Sequence, residues 1–230
     1  MYKRQFHDDA KAFLRILHDW DQWGMCQVQM NILDDENQAT LEGIREAGRR
    51  GVGVVVMEPL RGGLLANPPV DVKAVYDAYA VRRSPVEWGF RYLYAMPEVI
   101  TILSGMSTWA QVTDNLRIFD MAKRPTLTDE ELALYQKVKA TYLARTKTRC
   151  TGCKYCQPCP MGVQIPRIFQ GYDAAMLRAD SSFKAGYAQI QADHADASQC
   201  IHCRKCEHVC PQHLPITRFL EEIHAASAAE

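Results

Sequence analysis

Apolar positions along the first 120 or so residues follow two alternating rhythms. Ala12, Leu14, Ile16, Leu17 and Trp20 recur at helical spacing and predict an amphipathic helix. Met25-Cys26-Gln27-Val28-Gln29-Met30 alternates like a strand. Gln38 to Arg50 reads as a helix closed by Gly51. Val52-Gly53-Val54-Val55-Val56-Met57 is continuous, apolar and β-branched, the signature of a strand covered on both faces. Ser84-Pro85-Val86-Glu87 starts another helix, with serine at the N-cap, proline at N1 and glutamate at N3. Val99-Ile100-Thr101-Ile102-Leu103 is a further strand, and Thr108-x-x-Gln111 caps a helix carrying Val112, Leu116, Ile118 and Phe119. Strands alternating with helices predict a parallel sheet and the α/β class. Three clear strands, or four with residues 2–6, are too few for a complete eight-stranded barrel. No G-x-G-x-x-G follows any strand, so a dinucleotide fold of that type has no support.

The rhythm changes around Lys123-Arg124-Pro125, and from there helices and cysteine loops replace the alternation. This places a boundary between residues 1–125 and 126–230. Thr128-x-x-Glu131 has the form of a capping box, followed by Leu132, Tyr135, Val138 and Tyr142 at helical spacing. Farther on, Phe169, Tyr172, Met176 and Phe183 fall close to one helical face, which predicts a helical second domain with an aromatic core.

Eight of the nine cysteines stand in two runs: Cys150, Cys153, Cys156, Cys159, then Pro160; and Cys200, Cys203, Cys206, Cys210, then Pro211. The second run has the C-x2-C-x2-C-x3-C-P spacing of a bacterial 4Fe–4S site, and the first has one residue fewer before its last cysteine. Three thiolates at every third position let a short loop reach three corners of one cubane. The fourth points away and serves the other cluster in two-cluster ferredoxins. That pattern assigns Cys150, Cys153, Cys156 and Cys210 to one cluster, and Cys159, Cys200, Cys203 and Cys206 to the other. Zinc would call for two separated pairs, and a disulfide framework suits small secreted domains. Val163 and Ile165, and Leu214 and Ile216, follow the two cysteine–proline pairs alike, so the loops read as a duplicated unit. His202, His208 and His213 lie near the clusters but are not needed as ligands. Cys26 reads as a small core residue.

Twenty-seven basic and 27 acidic residues give zero formal net charge, with no basis for a nucleic acid or anionic membrane partner. No apolar run approaches a transmembrane helix, and the polar N-terminus lacks a signal-peptide core. Eight thiolates reserved for metal fit the cytoplasm.

Three further segments carry a resemblance: Gln27 to Asp34, Gly53 to Gly63, and Ser104-Gly105-Met106-Ser107-Thr108-Trp109-Ala110-Gln111 reaching Asn115. With the two cysteine runs behind them, they resemble the C-terminal part of an aldo/keto reductase of the branch with a C-terminal ferredoxin-like domain. The resemblance implies the last four strand–helix units of a (β/α)8 barrel, with NADP(H) at the C-terminal ends of the strands. It implies that Gln27 contacts the nicotinamide, that Pro59, Leu60, Arg61 and Gly62 pass the pyrophosphate, and that Ser104, Gly105, Met106 and Ser107 lead into a phosphate-facing helix. Gln111 and Asn115 would lie on the adenine side. The family's catalytic Asp, Tyr, Lys and His come from strands this sequence lacks, so no catalytic residue is assigned. Residues 3–7 lack the Gly-x-Ser of the fifth strand's end and keep only His7. Tyr76, Tyr79, Tyr92 and Tyr94 lie in helical segments and read as structural.

The expected function is that of an iron–sulfur oxidoreductase, a truncated form with part of an NADP site and two 4Fe–4S clusters. The alternative is a non-catalytic electron carrier with a docking half barrel. NADPH delivers a hydride while each cluster takes one electron, so either a redox partner protein joins the two or the clusters and the barrel do not exchange electrons directly. A missing barrel half or self-association is expected to cover the open sheet.

Overall fold

Four parallel strands form one sheet in the order β1-β2-β3-β4, each beside its predecessor in sequence. The structure, a computed structural model, describes residues 2–6, 10–36, 38–120, 124–150, 152–210 and 212–228. His7, Lys123 and Pro211 therefore lie outside the described residues. The chain divides into two units, Met1–Ala140 and Thr141–Glu230. The division falls inside a long helix, whereas the change of rhythm at residue 125 lies ahead of it.

The first unit runs β1 (Tyr2–Phe6), α1 (Ala10–Asp19), β2 (Trp23–Gln29), α2 (Thr40–Arg49), β3 (Gly53–Met57), α3 (Val70–Asp77), α4 (Pro85–Tyr94), β4 (Val99–Ile102) and α5 (Trp109–Phe119). It is an α/β arrangement. Cys26 pairs with Val54, and Val54 with Val99, so one face of the sheet is aligned across three strands. On that face Cys26, Val28, Val54 and Val56 are buried, while Gln27 and Gln29 on the opposite face are half-buried. β2 begins earlier than the alternation predicts, at Trp23. Met30 lies past its end but still donates its N–H to Met57 O at 3.3 Å. Leu103 likewise follows β4 and donates to Val56 O at 2.9 Å.

The helical core of this unit departs from the periodicity at several positions. In α1 the buried residues are Phe13 and Leu17, and Trp20 lies beyond the helix and is exposed. Phe13 is admitted because α2 presents Gly43 to it: a Cβ there would stand 2.6 Å from the Phe13 ring. Trp88 of α4 is fully buried among Tyr76, Tyr79 and Tyr135, with ring centroids 6.1, 5.5 and 5.8 Å away. The Tyr135 hydroxyl donates to Trp88 O at 2.9 Å. Tyr92 donates to the buried Asp35, which also meets Lys139. Tyr76, Tyr92 and Tyr94 lie in helices as expected, but Tyr79 lies in the bend beyond α3, where its ring meets Trp88 edge-on. Burial and the neighbouring Asp35 push the Tyr92 phenol well above its ordinary value, away from the acidity a proton donor needs.

The second unit is helical among its described residues. It follows α6 (Asp129–Arg145) with α7 (Ile165–Arg178), α8 (Ser182–Ala192), a single 3-10 turn (Ala197–Gln199), α9 (Lys205–His208) and α10 (Ile216–Ala228). Its core contains Val163, Ile165, Ile168 and Phe169 with Phe183, Tyr187, Ile190, Ile216, Leu220 and Ile223. The aromatic stripe expected on one helix spans two. Ala179 is left-handed at φ 56° and ends α7, so Phe183 belongs to α8 and reaches Tyr172 edge-on, 5.2 Å between centroids.

Candidate metal centres

The first cysteine loop hangs from one buried carboxylate. Asp173 of α7 accepts the backbone N–H groups of Lys147 (2.9 Å), Thr148 (3.1 Å) and Arg149 (2.7 Å), and the Thr148 hydroxyl (2.7 Å). Three consecutive amides drawn to one group turn the chain sharply just before Cys150. At the far end, Gln157 donates to Val163 O at 2.9 Å and accepts from the Cys159 N–H at 3.2 Å. The second loop is anchored at corresponding places by different chemistry. Asp196 accepts the Ser198 N–H at 2.7 Å, and Ala197 donates to the Tyr187 hydroxyl at 3.2 Å. Glu207, next to Cys206, accepts both the N–H and the hydroxyl of Thr217 at 2.8 Å, which ties α9 to the start of α10. Burial opposes the Glu207 charge, yet these bonds hold its carboxyl below the usual range.

The duplication read from sequence extends to the backbone. Gly152 and His202 occupy the same place in the two runs, and both are left-handed, at φ 71° and 57°. So do Lys154 and Arg204, at 66° and 57°. Ile165 and Ile216 begin α7 and α10 at equal offsets from Cys159 and Cys210. Each loop thus coils the same way and runs into a helix whose first residue is buried.

The thiols converge in the two sets expected from the spacing. Cys150, Cys153, Cys156 and Cys210 line one cavity. Cys159, Cys200, Cys203 and Cys206 line another, of about 190 Å3, where Cys156 and Tyr155 also appear. Cys156 and Tyr155 line both cavities, so the two centres are neighbours. Burial pushes the Cys156 thiol up to about 11, and Cys150, Cys153 and Cys210 push the same way. Burial, then Glu207 and Cys200, do the same for Cys206. Thiols that oppose one another's charge are a donor set for cations, because metal charge reverses that penalty. Among the described residues no three His, Cys, Asp or Glu side chains meet tightly enough to hold a single ion. Cys26 stands apart, buried in β2.

Of the residues expected to hold NADP(H), Pro59 to Gly62 and Ser104 to Ser107 follow the carboxyl ends of β3 and β4, where open α/β sheets bind ligands, while Gln27 lies within β2 and Gln111 and Asn115 within α5. Several of their donors already have partners. The Gly62 N–H donates to the Glu58 carboxylate at 2.7 Å. Arg61 lies 3.6 Å from the buried Asp34. Gln111 accepts from the N–H groups of Ser107 (2.8 Å) and Thr108 (3.1 Å). Asn115 donates to Ser104 Oγ at 3.0 Å and contacts Met106 Sδ at 3.3 Å, while Gln27 contacts Met57 Sδ at 3.6 Å. Pro59 and Leu60 sit in the same turn, where Leu60 occupies the space beside Gly89, and Gly105 is exposed. The fit to a dinucleotide is partial: the loops are in place, but Glu58 brings a negative charge toward the expected pyrophosphate.

Three positioning residues escape the sequence pattern: Asp173, Glu207 and Asn31. Asn31 is fully buried and bonds Asp34 (2.8 Å) and Glu58 O (3.0 Å), joining the loops after β2 and β3. A buried polar residue next to a strand end is the signal that could have marked it.

Comparison with known proteins places these parts. Residues 8–140 match the model of the aldo/keto reductase family, and residues 149–214 match that of the 4Fe-4S dicluster domain. Solved structures of the aldo-keto reductase AKR11C1 from Bacillus halodurans, in holo and apo forms, match at 25% identity with a TM-score of 0.44. Each match covers 54% of this chain and 46% of that one, so the chain spans about half the length of that reductase. No curated protein matches.

Proposed function

Since the chain belongs to the aldo/keto reductase family and carries a 4Fe-4S dicluster domain, we propose that it is an iron–sulfur oxidoreductase holding two cubane clusters beside part of a reductase barrel. On this reading the four strands are the last four of a (β/α)8 barrel, up to about residue 125, and residues 126–230 form a helical ferredoxin-like domain. Cys150, Cys153, Cys156 and Cys210 hold one cluster, and Cys159, Cys200, Cys203 and Cys206 the other. The observation that carries the reading is the crossed convergence of Cys210 with the first run and Cys159 with the second.

When bound, such clusters accept and pass on single electrons. The chain's own groups do the holding. Asp173 fixes the backbone ahead of Cys150, Glu207 fixes it behind Cys206, and the apolar starts of α7 and α10 wall the cavities. Anaerobically reconstituted protein is expected to be brown, with about eight irons and eight acid-labile sulfides per chain. Cys210→Ala should lower the iron of the Cys150 set while the other cluster's signal persists. Zinc retained in place of iron after such reconstitution would sink the proposal.

No residue of this chain is assigned to the family's catalytic tetrad, and the residues around Gln27, 59–62 and 104–115 keep a weak NADP(H) site at most. Titration followed by fluorescence of the four tryptophans should show saturation only at high cofactor concentration. No response at millimolar cofactor removes that part. It would favour a second reading, an electron carrier whose partial barrel docks a partner, which the internally satisfied donors of Gly62, Ser107 and Asn115 already support.

A further inference from the structure

The two cysteine loops share a feature that ligation does not require. Lys154 and Arg204 follow the exposed Cys153 and Cys203 at equivalent positions, and both are left-handed and exposed. Glycine or asparagine suits such backbone best, and Gly152 illustrates that choice two residues earlier. Both copies nevertheless place a long cation here, and Lys205, also exposed, adds a third. Lys154 lines one cavity, Arg204 and Lys205 the other, and Tyr155 lines both, so the three cations border a mouth made of two cavities that adjoin at Tyr155. The nearby acids are engaged: Glu207 is turned toward Thr217, with Arg204 4.0 Å away, and Glu221 meets His202 at 3.5 Å. The exposed apolar side chains of Tyr155, Ile201 and Val209 line the same cavity as Arg204 and Lys205.

We propose, on the reading that these loops hold clusters, that this mouth is the docking surface for an acidic one-electron carrier protein. An apolar centre inside a charged rim is how transient interfaces are built, and complementary charge chiefly sets encounter rate and orientation. The step moves one electron and no atom. The carrier is oxidised by one electron, this chain is reduced by one, and no bond forms or breaks.

The test uses the whole chain with its clusters, a Lys154→Glu/Arg204→Glu/Lys205→Glu variant, and a milder Lys154→Gln/Arg204→Gln variant, all checked first for iron and sulfide. Flavodoxin, an acidic carrier, is the probe. Calorimetric titration at low salt should show the triple variant binding at least about tenfold more weakly than the unmodified chain. The gap should close to about twofold at high salt, where charges are screened. Stopped-flow reduction by flavodoxin hydroquinone, which loses one electron to become the semiquinone, should follow the same order. Reduction by the cationic methyl viologen radical should not slow. Variants that keep their iron and bind flavodoxin as the unmodified chain does, or that weaken equally at all salt concentrations, overturn the docking surface. A chain that takes up no iron overturns the underlying reading instead.

Discussion

Asp173 shows how much of a metal loop rests on a residue that touches no metal. Its carboxylate is buried and accepts three amides and a hydroxyl. Asp173→Ala strands those donors, and removing a buried charged acceptor costs about 2–4 kcal/mol. The second unit should unfold at lower urea concentration, and the Cys150 set should lose iron. Asp173→Asn keeps one acceptor oxygen and should lose less. A D173A protein with full iron and an unchanged midpoint would refute this role. Cys26 makes the opposite case of an inert thiol. Burial raises it to about 11. A buried neutral thiol contributes its full stability below its ordinary value of 9.0, and that contribution is lost as pH rises from there toward 11. In metal-free folded protein at pH 8, iodoacetamide should therefore label the exposed Cys153 and Cys203 first and spare Cys26. Mass spectrometry of the alkylated protein checks this.

Elements whose start signals are local were legible in advance. Ser84 Oγ accepts the Glu87 N–H at 3.0 Å, and Thr108 with Gln111 forms a complete capping box. Thr128 and Glu131 exchange the same pair of bonds at 3.2 Å. Losing such a cap costs about 1 kcal/mol, so Ser84→Ala should lower the first unit's urea midpoint slightly and leave iron content alone. Which face of each helix is covered was less legible. Leu116 and Leu132 sit on predicted apolar faces yet are exposed, while Phe13 is buried because Gly43 on another helix makes room. Periodicity defines a face, and only the packing partner decides which residues of it lose water. The break at Ala179 went unread for a related reason, because nothing in the residue type alanine announces a left-handed backbone.

The sheet itself poses the largest question of scale. Among the described residues β1 pairs only with β2, and β4 only with β3, which leaves two parallel edges. Ile100, Leu103, Met106, Trp109 and Leu116 are exposed along β4, the loop after it and α5. Unpaired edges and apolar patches of this kind drive association. The chain is expected to self-associate through these surfaces. Light scattering across a concentration series tests this. A well-behaved monomer at all concentrations would contradict it.

By itself the sequence determined whatever depends on neighbours along the chain. The alternation of strands and helices, the three capped helix starts and the three-residue steps within each cysteine run all follow from short-range spacing. Spacing works because a loop of fixed length can present thiolates in few ways, and because caps bond residues three apart. The tertiary structure alone decided what depends on groups distant in sequence. It placed Asp173 under residues 147–149, Asn31 against the Glu58 carbonyl, and Lys154 and Arg204 of two separate loops at cavities that share Tyr155. Those placements are long-range packing outcomes, and a linear pattern of polar and apolar residues holds no record of which distant groups they bring together.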